Sequence, residues 1–222
     1  MTNKEKARAY FGAVNRYDTA VIKEMVEETY VQHNPNVPTG RAAFLSLIPK
    51  LKEAKTKIEN LRMIADGPFV AMQHRWTNAW PLGAEKMLAF HIIRFNEDGL
   101  IAEHWSALTK AVIPSASGWQ MPSGNAFSVD FNSTEKNKKK AVEWFWEKKW
   151  LPSDPELEYQ EQHMVVGEGN LVLSVSEGQQ ACQPAALYDL LSFRGGNVAE
   201  HWRVVQLIPQ GRTANDNSMF GF

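Results

Sequence analysis

The histidines of this sequence are the side chains best suited to move protons near neutral pH, and most of them lie in its first half. Four of the six are His33, His74, His91 and His104. An unperturbed imidazole has a pKa of about 6.5, so each can act as a general base or as a hydrogen-bond donor. Each also has a structural interpretation, as a buried or capping histidine satisfied by a neighbour. Both interpretations stay open at this point.

Aromatic residues near these histidines indicate what kind of ligand a site there would bind. Trp76 and Trp80 follow His74 at even spacing, so a continuous strand would place all three on one face. Aromatic residues on a strand form either a pocket wall or plain core, and we expect a pocket wall here. The histidines and the single cysteine show no His-x-x-x-His or Cys-x-x-Cys spacing, so we expect neither a metal site nor a cofactor.

The elements that must position these residues are predicted to be three helices followed by an antiparallel meander, an α+β arrangement. Thr2 and Glu5 are spaced as a capping box at the start of the first helix. Asp18 can cap a second helix, which ends at Pro35 at the latest, and Pro49 should kink the third. Strands are predicted over residues 58–64, 69–80, 86–95 and 100–108.

The second half of the sequence repeats the first in shortened form. Ala199-Glu-His-Trp202 repeats Ala102-Glu-His-Trp105, and further matches follow in the same order. The back copy lacks room for the second and third helices, which would leave one face of its sheet bare. We therefore predict a complete unit over residues 1–128 and a shortened one over 129–222, separated by a linker within 110–133. The two sheets are expected to cover each other as an intramolecular pseudo-dimer, with further oligomerisation open.

Composition and charge exclude several classes of function. The formal net charge of -1 gives no electrostatic reason to expect a nucleic-acid partner. No apolar run approaches the roughly 20 residues that span a bilayer, so no membrane partner is expected. Cys182 is the single cysteine and cannot form an internal disulfide, and the charged N-terminus lacks the apolar core of a secretory signal. We therefore expect a cytoplasmic protein.

Three segments resemble the SnoaL-like polyketide cyclases of the nuclear-transport-factor-2-like superfamily. They are Tyr30-Val-Gln-His-Asn-Pro35, Gly40-Arg-Ala-Ala-Phe44 and Gly99-Leu-Ile-Ala-Glu-His-Trp105. The resemblance covers most of residues 5–127 and recurs, degraded, over 135–220. It implies a cone-shaped α+β barrel, in which a strongly bent antiparallel sheet wraps around a pocket closed by helices.

The resemblance also implies chemistry. Cyclases of that family close polyketide rings by aldol condensation, using a carboxylate just after the Glu-His-Trp segment and a histidine on the preceding strand. His91 stands at the position of that histidine, whereas Ser106 occupies the carboxylate position. A serine hydroxyl cannot take a proton from carbon at neutral pH without a strong base beside it. In the back copy the corresponding residues are Asp189 and Arg203.

Strand alternation then predicts a site. If Ser106 points into the cone as the resemblance implies, His104 does too, and one cavity can hold the four front histidines. The predicted catalytic residues are His91, His104 and His33. The predicted ligand-binding residues are His74, Trp76, Trp80, Ser106 and Asn34.

Three functions are compatible with this site. In the first, His91 is the base and His33 and His104 are donors in a cyclase, isomerase or hydratase acting on a small, mostly apolar carbonyl compound. In the second, the pocket binds such a compound without transforming it, and Ser106 marks the loss of catalysis. In the third, the chain is an interaction protein whose second half covers the front sheet.

Overall fold

The computed structural model describes residues 1–110, 129–147 and 156–222. The chain divides into two compact units. Unit 1 consists of Met1–Ala111 with Pro209–Gly221, and unit 2 of Val112–Ile208 with Phe222. The predicted domain boundary at residue 128 and most of the predicted linker fall in 111–128, outside the described residues, and stay predictions. The end of the chain differs from the sequence-based division, since residues 209–221 pack with unit 1 through hydrogen bonds described below.

Unit 1 is a five-stranded sheet with helices packed on it, which confirms the predicted α+β class. Its helices are Asn3–Arg16 (α1), Thr19–Met25 (α2), Arg41–Leu45 (α3) and Ile48–Glu53 (α4), with a 3-10 helix at Trp80–Leu82. Its strands are Val26–Gln32 (β1), Lys57–Asp66 (β2), Phe69–Thr77 (β3), Lys86–Phe95 (β4) and Ile101–Thr109 (β5). The strand order is β1-β5-β4-β3-β2, with β1 parallel to β5 and the other neighbours antiparallel. Register shifts in β1, β2 and β5 provide the bulges that bend such a sheet.

The first and third helices form as predicted. Thr2 Oγ1 accepts a hydrogen bond from Glu5 N at 3.2 Å, and Glu5 Oε2 accepts one from Thr2 N at 2.7 Å, which completes the capping box. The buried face of α1 includes Tyr10 and Phe11, which join the core of unit 1 together with side chains of β3 and β4. The third helix is broken into α3 and α4, with Pro49 in the first turn of α4.

Strand β1 lies where the sequence predicted the end of the second helix, and that prediction is wrong. Asp18 caps α2 as expected, since its Oδ1 accepts from Val21 N at 3.2 Å, but the chain then becomes extended. Tyr30 and Gln32 are buried at strand spacing, and Gln32 is the parallel register partner of His104. Local periodicity cannot reveal this pairing, because the partner strand lies far along the chain.

Unit 2 is a helix on a four-stranded antiparallel sheet. Its described elements are a 3-10 helix at Phe131–Ser133, Thr134–Glu147 (α5), Leu157–Glu168 (β6), Leu171–Gln180 (β7), Gln183–Arg194 (β8) and Asn197–Leu207 (β9). The strand order is β6-β7-β8-β9, and the two Ala-Glu-His-Trp segments lie in β5 and β9. The tandem repeat and the pseudo-dimer stay predictions. In the described ranges no helix has the length and apolar character needed to cross a membrane.

Candidate functional site

Unit 1 contains a pocket between its helices and its sheet. The empty volume, counted out into the solvent at the open mouth, is about 480 Å³, and the part that the centre of a water-sized sphere can reach is about 40 Å³. The lining is mostly apolar, with a few polar groups from β1, β4 and β5. The lining residues are Tyr10, Phe11, Val14, Gln32, Val37, Phe44, Leu47, Leu51, Trp76, Leu82, His91, His104, Ser106 and Leu108.

A buried series of hydrogen bonds runs along one side of the pocket. His91 Nδ1 lies 2.8 Å from His104 Nε2, and His104 Nδ1 lies 2.8 Å from the hydroxyl of Tyr30. Gln32 Nε2 donates to the same hydroxyl at 2.9 Å. Three neighbouring strands, β4, β5 and β1, therefore each contribute to one polar series, which we call the histidine relay.

The direction of the relay follows from Gln32. Its Oε1 accepts from the backbone N of Asn34 at 2.9 Å, so its Nε2 must face Tyr30 and, at 3.4 Å, His104 Nδ1. The Tyr30 oxygen accepts from Gln32, so its own hydrogen goes to His104 Nδ1. We therefore assign the hydrogen of His104 to Nε2, from which it is donated to His91 Nδ1. The remaining hydrogen of His91 is then on Nε2.

The relay is neutral at pH 7. Burial, aided by the nearby His104 and His74, lowers the pKa of His91 well below its usual value. Burial, aided by His33, lowers the pKa of His104 to about 3. The Nε2 of His91 is buried and has no hydrogen-bond partner among the described residues. At rest His91 therefore carries an unsatisfied N–H donor, and its role as a general base stays a prediction.

Ser106 lines the pocket opposite His91, and Asn34 holds it there. His91 and Ser106 are register partners on β4 and β5. Asn34 Nδ2 donates to the Ser106 carbonyl at 3.0 Å and to Ser106 Oγ at 3.2 Å. Asn34 is buried behind the wall and is not among the lining residues. The structure therefore places Ser106 where the sequence predicted it and gives Asn34 a supporting position.

Trp76 and His74 pack around His91 in different positions. The ring of Trp76 lines the pocket and stacks on His91 with centroids 5.7 Å apart. His74 is fully buried between Phe11, at 4.3 Å, and His91, at 5.0 Å, and it does not line the pocket. Neither nitrogen of His74 has a hydrogen-bond partner among the described residues. Burial, aided by the nearby His104, lowers the pKa of His74 to about 3, so it is a neutral packing residue here.

The sequence predicted His33 in the pocket, but the structure places it elsewhere. Gln32 points inward from β1, so the next side chain turns to the other face. His33 stacks on Trp105 with centroids 4.4 Å apart, and its Nε2 lies 3.1 Å from Glu103 Oε2. Its Nδ1 donates to the carbonyl of Ser218 at 2.7 Å. His33 is thus a contact between β5 and the C-terminal segment.

Trp80 also lies away from its predicted place. Strand β3 ends at Thr77, and Asn78 takes a left-handed backbone conformation with φ 51°. Trp80 follows in a 3-10 helix with its side chain 62% exposed. The alternation that would have aligned it with Trp76 is therefore broken, and Leu82 lines the pocket instead.

The sequence of unit 1 has a recognisable family. Residues 7–104 match the SnoaL-like domain family. Unit 1 contains a SnoaL-like domain. The matched residues include most of α1 and the whole histidine relay, and Ser106 and Leu108 are the lining residues that lie beyond the match. The resemblance stated from the sequence is confirmed for these residues, while a second, degraded copy stays a prediction.

Several solved structures are similar to about half of this chain. IdmH from Streptomyces antibioticus, described as a polyketide cyclase, is 18% identical, with 49% of this chain and 92% of that chain covered and a TM-score of 0.41. SalBIII, an epoxide hydrolase/cyclase-like enzyme of pyran ring formation in salinomycin, is 25% identical, with 49% and 91% covered and a TM-score of 0.42. A protein described as a ketosteroid isomerase from Kribbella flavida is 22% identical, with 58% and 90% covered and a TM-score of 0.44. No curated protein matches the sequence.

Sequence interpretation missed two members of the relay in the SnoaL-like domain, Tyr30 and Gln32. Both were assigned to the tail of a helix, where their side chains would point in different directions. The signal that could have found them is their i, i+2 spacing just before Pro35, which suits a strand with both side chains on one face. Gln32 is the more informative of the two, since its amide sets the direction of the relay.

Unit 2 has a different polar cluster at the positions predicted to correspond to His91 and Ser106. Asp189 and Arg203 are register partners on β8 and β9, and Arg203 Nε donates to Asp189 Oδ1 at 2.6 Å. His201 Nε2 and the Tyr159 hydroxyl also lie 2.6 Å from Asp189 oxygens. Burial acts to raise the pKa of Asp189, but the charge of Arg203 and the His201 hydrogen bond outweigh it and hold that pKa below its usual value. Asp189 is thus an ionised, buried centre.

A further cluster of metal-ligand types lies on β6 and β7 of unit 2. Glu161, His163 and Glu177 place one ligand atom each within 4.8 Å of one another. His163 Nε2 lies 3.2 Å from Glu177 Oε2, and Glu161 is exposed. Exposed acidic groups form such clusters without a metal, so the expectation of no metal site stays a prediction.

Proposed function

We propose that the SnoaL-like domain binds a small, mostly apolar carbonyl compound, whose oxygen accepts a hydrogen bond from His91 Nε2. The observation that carries this proposal is that His91, which lines a mainly apolar pocket, has a buried N–H donor with no hydrogen-bond partner among the described residues. A buried donor without a partner costs about 1–3 kcal/mol. A ligand acceptor recovers that free energy, which makes the position specific for an oxygen.

The surroundings of His91 favour a flat ligand. The ring centroids of Phe11 and Trp76 lie 5.4 Å and 5.7 Å from the ring centroid of His91. A ligand at His91 therefore contacts aromatic surface. Burial of apolar ligand surface contributes about 25 cal/mol per Å². Aromatic or alicyclic ketones therefore fit the pocket better than charged metabolites, for which the lining offers no ionised partner among the described residues.

A second candidate function is acid/base catalysis on the same class of compound, by cyclisation, isomerisation or hydration. The histidine relay favours it, because His91 can donate its proton to a developing enolate oxygen and recover one through His104. However, none of the described lining residues is a carboxylate, and the Ser106 hydroxyl is a poor base for a carbon acid. Binding is therefore the function that the geometry supports best.

The binding proposal is tested with prodan, a naphthalene ketone whose fluorescence reports polarity and hydrogen bonding to its carbonyl. The wild-type protein should shift prodan emission to the blue and bind it saturably. His91→Phe keeps an apolar ring but removes the donor, so its affinity should fall about tenfold. His91→Gln, which retains an N–H donor, should recover part of the loss.

His163→Phe is the matched control, since His163 lies on β6 in unit 2. It should bind prodan as the wild type does. Equal affinity of the wild type and His91→Phe would show that His91 does not recognise the carbonyl. Absence of saturable binding to the wild type would remove the proposal as a whole.

The same probe separates binding from catalysis. Prodan carries acidic hydrogens beside its carbonyl, so an enzyme that forms an enolate exchanges them for deuterium in D₂O. Mass spectrometry of recovered prodan should show no exchange above that with His91→Phe if the domain only binds. Exchange that depends on His91 would establish the catalytic alternative.

The rest of the chain enters the proposal as predicted from the sequence. Unit 2 is proposed to serve as a structural or interaction unit, and nucleic acid and membrane are not proposed as partners. Cys182 is exposed and is the single cysteine of the sequence, which supports a reducing, cytoplasmic setting.

A further inference from the structure

The C-terminal segment Pro209–Gly221 packs with unit 1 and makes its hydrogen bonds to one stretch of the SnoaL-like domain. That stretch, residues 32–39, runs from the end of β1 toward α3, and we call it the pocket loop. Gln32 and Val37 line the pocket, and Asn34 holds Ser106. Any group that positions the pocket loop therefore also positions the pocket wall.

Asn215 is the central contact of the segment. Its Nδ2 donates to the carbonyl of Asn34 at 2.8 Å and to the carbonyl of Val37 at 2.7 Å. Its Oδ1 accepts from the backbone N of Asn217 at 2.9 Å, and the side chain is buried. Beside it, the backbone N of Ala214 donates to the carbonyl of Pro35 at 2.7 Å. Three carbonyls of the pocket loop, those of Asn34, Pro35 and Val37, thus accept hydrogen bonds from the segment.

Asn217 extends these contacts to the relay. Its Nδ2 donates to the carbonyl of Gln32 at 2.9 Å and to Thr39 Oγ1 at 3.3 Å. The carbonyl of the next residue, Ser218, accepts from His33 Nδ1. The backbone of Gln32 is therefore held from outside, while its side-chain amide directs the relay inside.

We propose that Asn215 and Asn217 are positioning residues for the ligand pocket, acting through the pocket loop without touching the ligand. This inference rests on the proposed binding function. The pocket loop is irregular beyond Gln32, so its carbonyls are not paired with the N–H donors of a regular strand or helix. The two asparagines supply donors to three of those carbonyls and so fix Gln32, Asn34 and Val37 relative to the sheet.

An asparagine is required at position 215 because its side chain donates two hydrogen bonds and accepts one at the same time. Asn215→Asp has the same shape and keeps the acceptor but cannot donate. It should weaken prodan binding about tenfold. Asp216→Asn is the control, because Asp216 is exposed in the same segment and the change has the same size with opposite charge. It should bind prodan as the wild type does.

Amide hydrogen exchange provides the readout that separates positioning from general stability. In Asn215→Asp the amides of Asn36 and Val37 should exchange faster, while those of Met72 and His91 in the sheet should not change. Asn217→Asp should give the same pattern with a smaller loss of affinity. Faster exchange throughout the sheet in both variants would mean that the segment only stabilises the fold, which would overturn the inference.

The outcomes for the two proposals are distinguishable. Wild-type affinity in Asn215→Asp would overturn the positioning role and leave the proposed binding function standing. A wild-type protein that does not bind prodan would remove both. A loss of affinity in Asn215→Asp with an unchanged sheet and an unchanged Asp216→Asn control would establish the positioning role.

Discussion

His91 Nδ1 and His104 Nε2 lie 2.8 Å apart on neighbouring strands and share one hydrogen. They are not direct register partners, since Ile93 lies opposite His104, so the contact is a diagonal one across β4 and β5. Which ring donates is decided on a third strand, β1, by Tyr30 and Gln32. The chemical character of His91 is therefore set by residues that do not touch it.

Replacing Tyr30 should reveal this dependence. Tyr30→Phe removes the donor to His104 Nδ1 and the acceptor for Gln32, so the free energy of unfolding should fall by about 1–3 kcal/mol. Prodan affinity should fall as well, because His91 then loses its fixed tautomer. Urea denaturation and a prodan titration measure the two effects.

Tyr10→Phe is the control for that variant. Tyr10 is equally buried and lines the pocket, but its hydroxyl has no partner among the described residues. Its removal should change the free energy of unfolding by less than about 0.5 kcal/mol, or raise it. An equal loss in both variants would show that the relay contributes nothing beyond packing.

Acid should destabilise the fold through its buried histidines. Burial, with the other histidines adding to it, holds the pKa of His74 and His104 at about 3 and that of His91 well below normal. The unfolded chain binds protons below about pH 6.5, whereas the folded chain does not, so stability is complete above that pH and is lost as the pH falls toward 3. At pH 5 each of these three buried histidines should lower the free energy of unfolding by about 2 kcal/mol.

Urea denaturation at pH 7.5 and pH 5.0 measures this loss. His74→Phe, which removes one such group next to Phe11, should reduce the difference between the two pH values by about 2 kcal/mol. If the free energy of unfolding fell equally in this variant and in the wild type between pH 7.5 and pH 5.0, the assignment of His74 as a neutral, buried imidazole would be contradicted.

Restoring a carboxylate opposite His91 should add base chemistry to the pocket. Ser106→Asp places that group at the register partner of His91, where it can take a proton from carbon and raise the pKa of the imidazole. Deuterium incorporation into prodan should then exceed that of the wild type. The cost of burying the charge should appear as a lower free energy of unfolding.

Ser106→Asn separates charge from shape in that experiment. It has nearly the size of the aspartate variant and stays neutral, so it should not promote deuterium exchange. Exchange at equal rates in both variants would mean that the added side chain alters access to the pocket and supplies no base.

The Asp189 cluster should matter for the stability of unit 2. Asp189→Asn leaves Arg203 and His201 facing a neutral amide in a buried site, so the free energy of unfolding should fall by about 3–5 kcal/mol. Glu158→Gln, at an exposed position next to Tyr159 on β6, is the control and should be neutral. Urea denaturation measures both variants. A free energy of unfolding close to that of the wild type for Asp189→Asn would show that the cluster does not stabilise unit 2.

Regular elements with a strong local signal could be predicted from the sequence. The capping box of Thr2 and Glu5, the cap at Asp18 and the break at Pro49 depend on residues a few positions apart, and all of them form. Strand β4 runs over the predicted residues because its alternation is uninterrupted. The SnoaL-like segment was recognisable for the same reason, since its motifs are contiguous.

Elements that depend on distant partners could not be predicted in this way. Strand β1 is extended because it pairs with β5, and nothing in its own periodicity distinguishes it from the end of a helix. His33 turns away from the pocket because β1 is a strand, and Trp80 leaves the wall because the chain reverses at Asn78. The errors at His33 and at Trp80 each follow from one of these two backbone changes.

The α+β class, the SnoaL-like segment and the presence of Trp76, His91 and Ser106 on successive strands follow from the sequence alone. Strand alternation is a local rule that assigns residues of one strand to its two faces. The tertiary structure alone decided the tautomer of His91, the supporting place of Asn34 and the attachment of Asn215. These depend on hydrogen bonds between residues far apart in the chain, whose geometry exists only once the sheet is assembled.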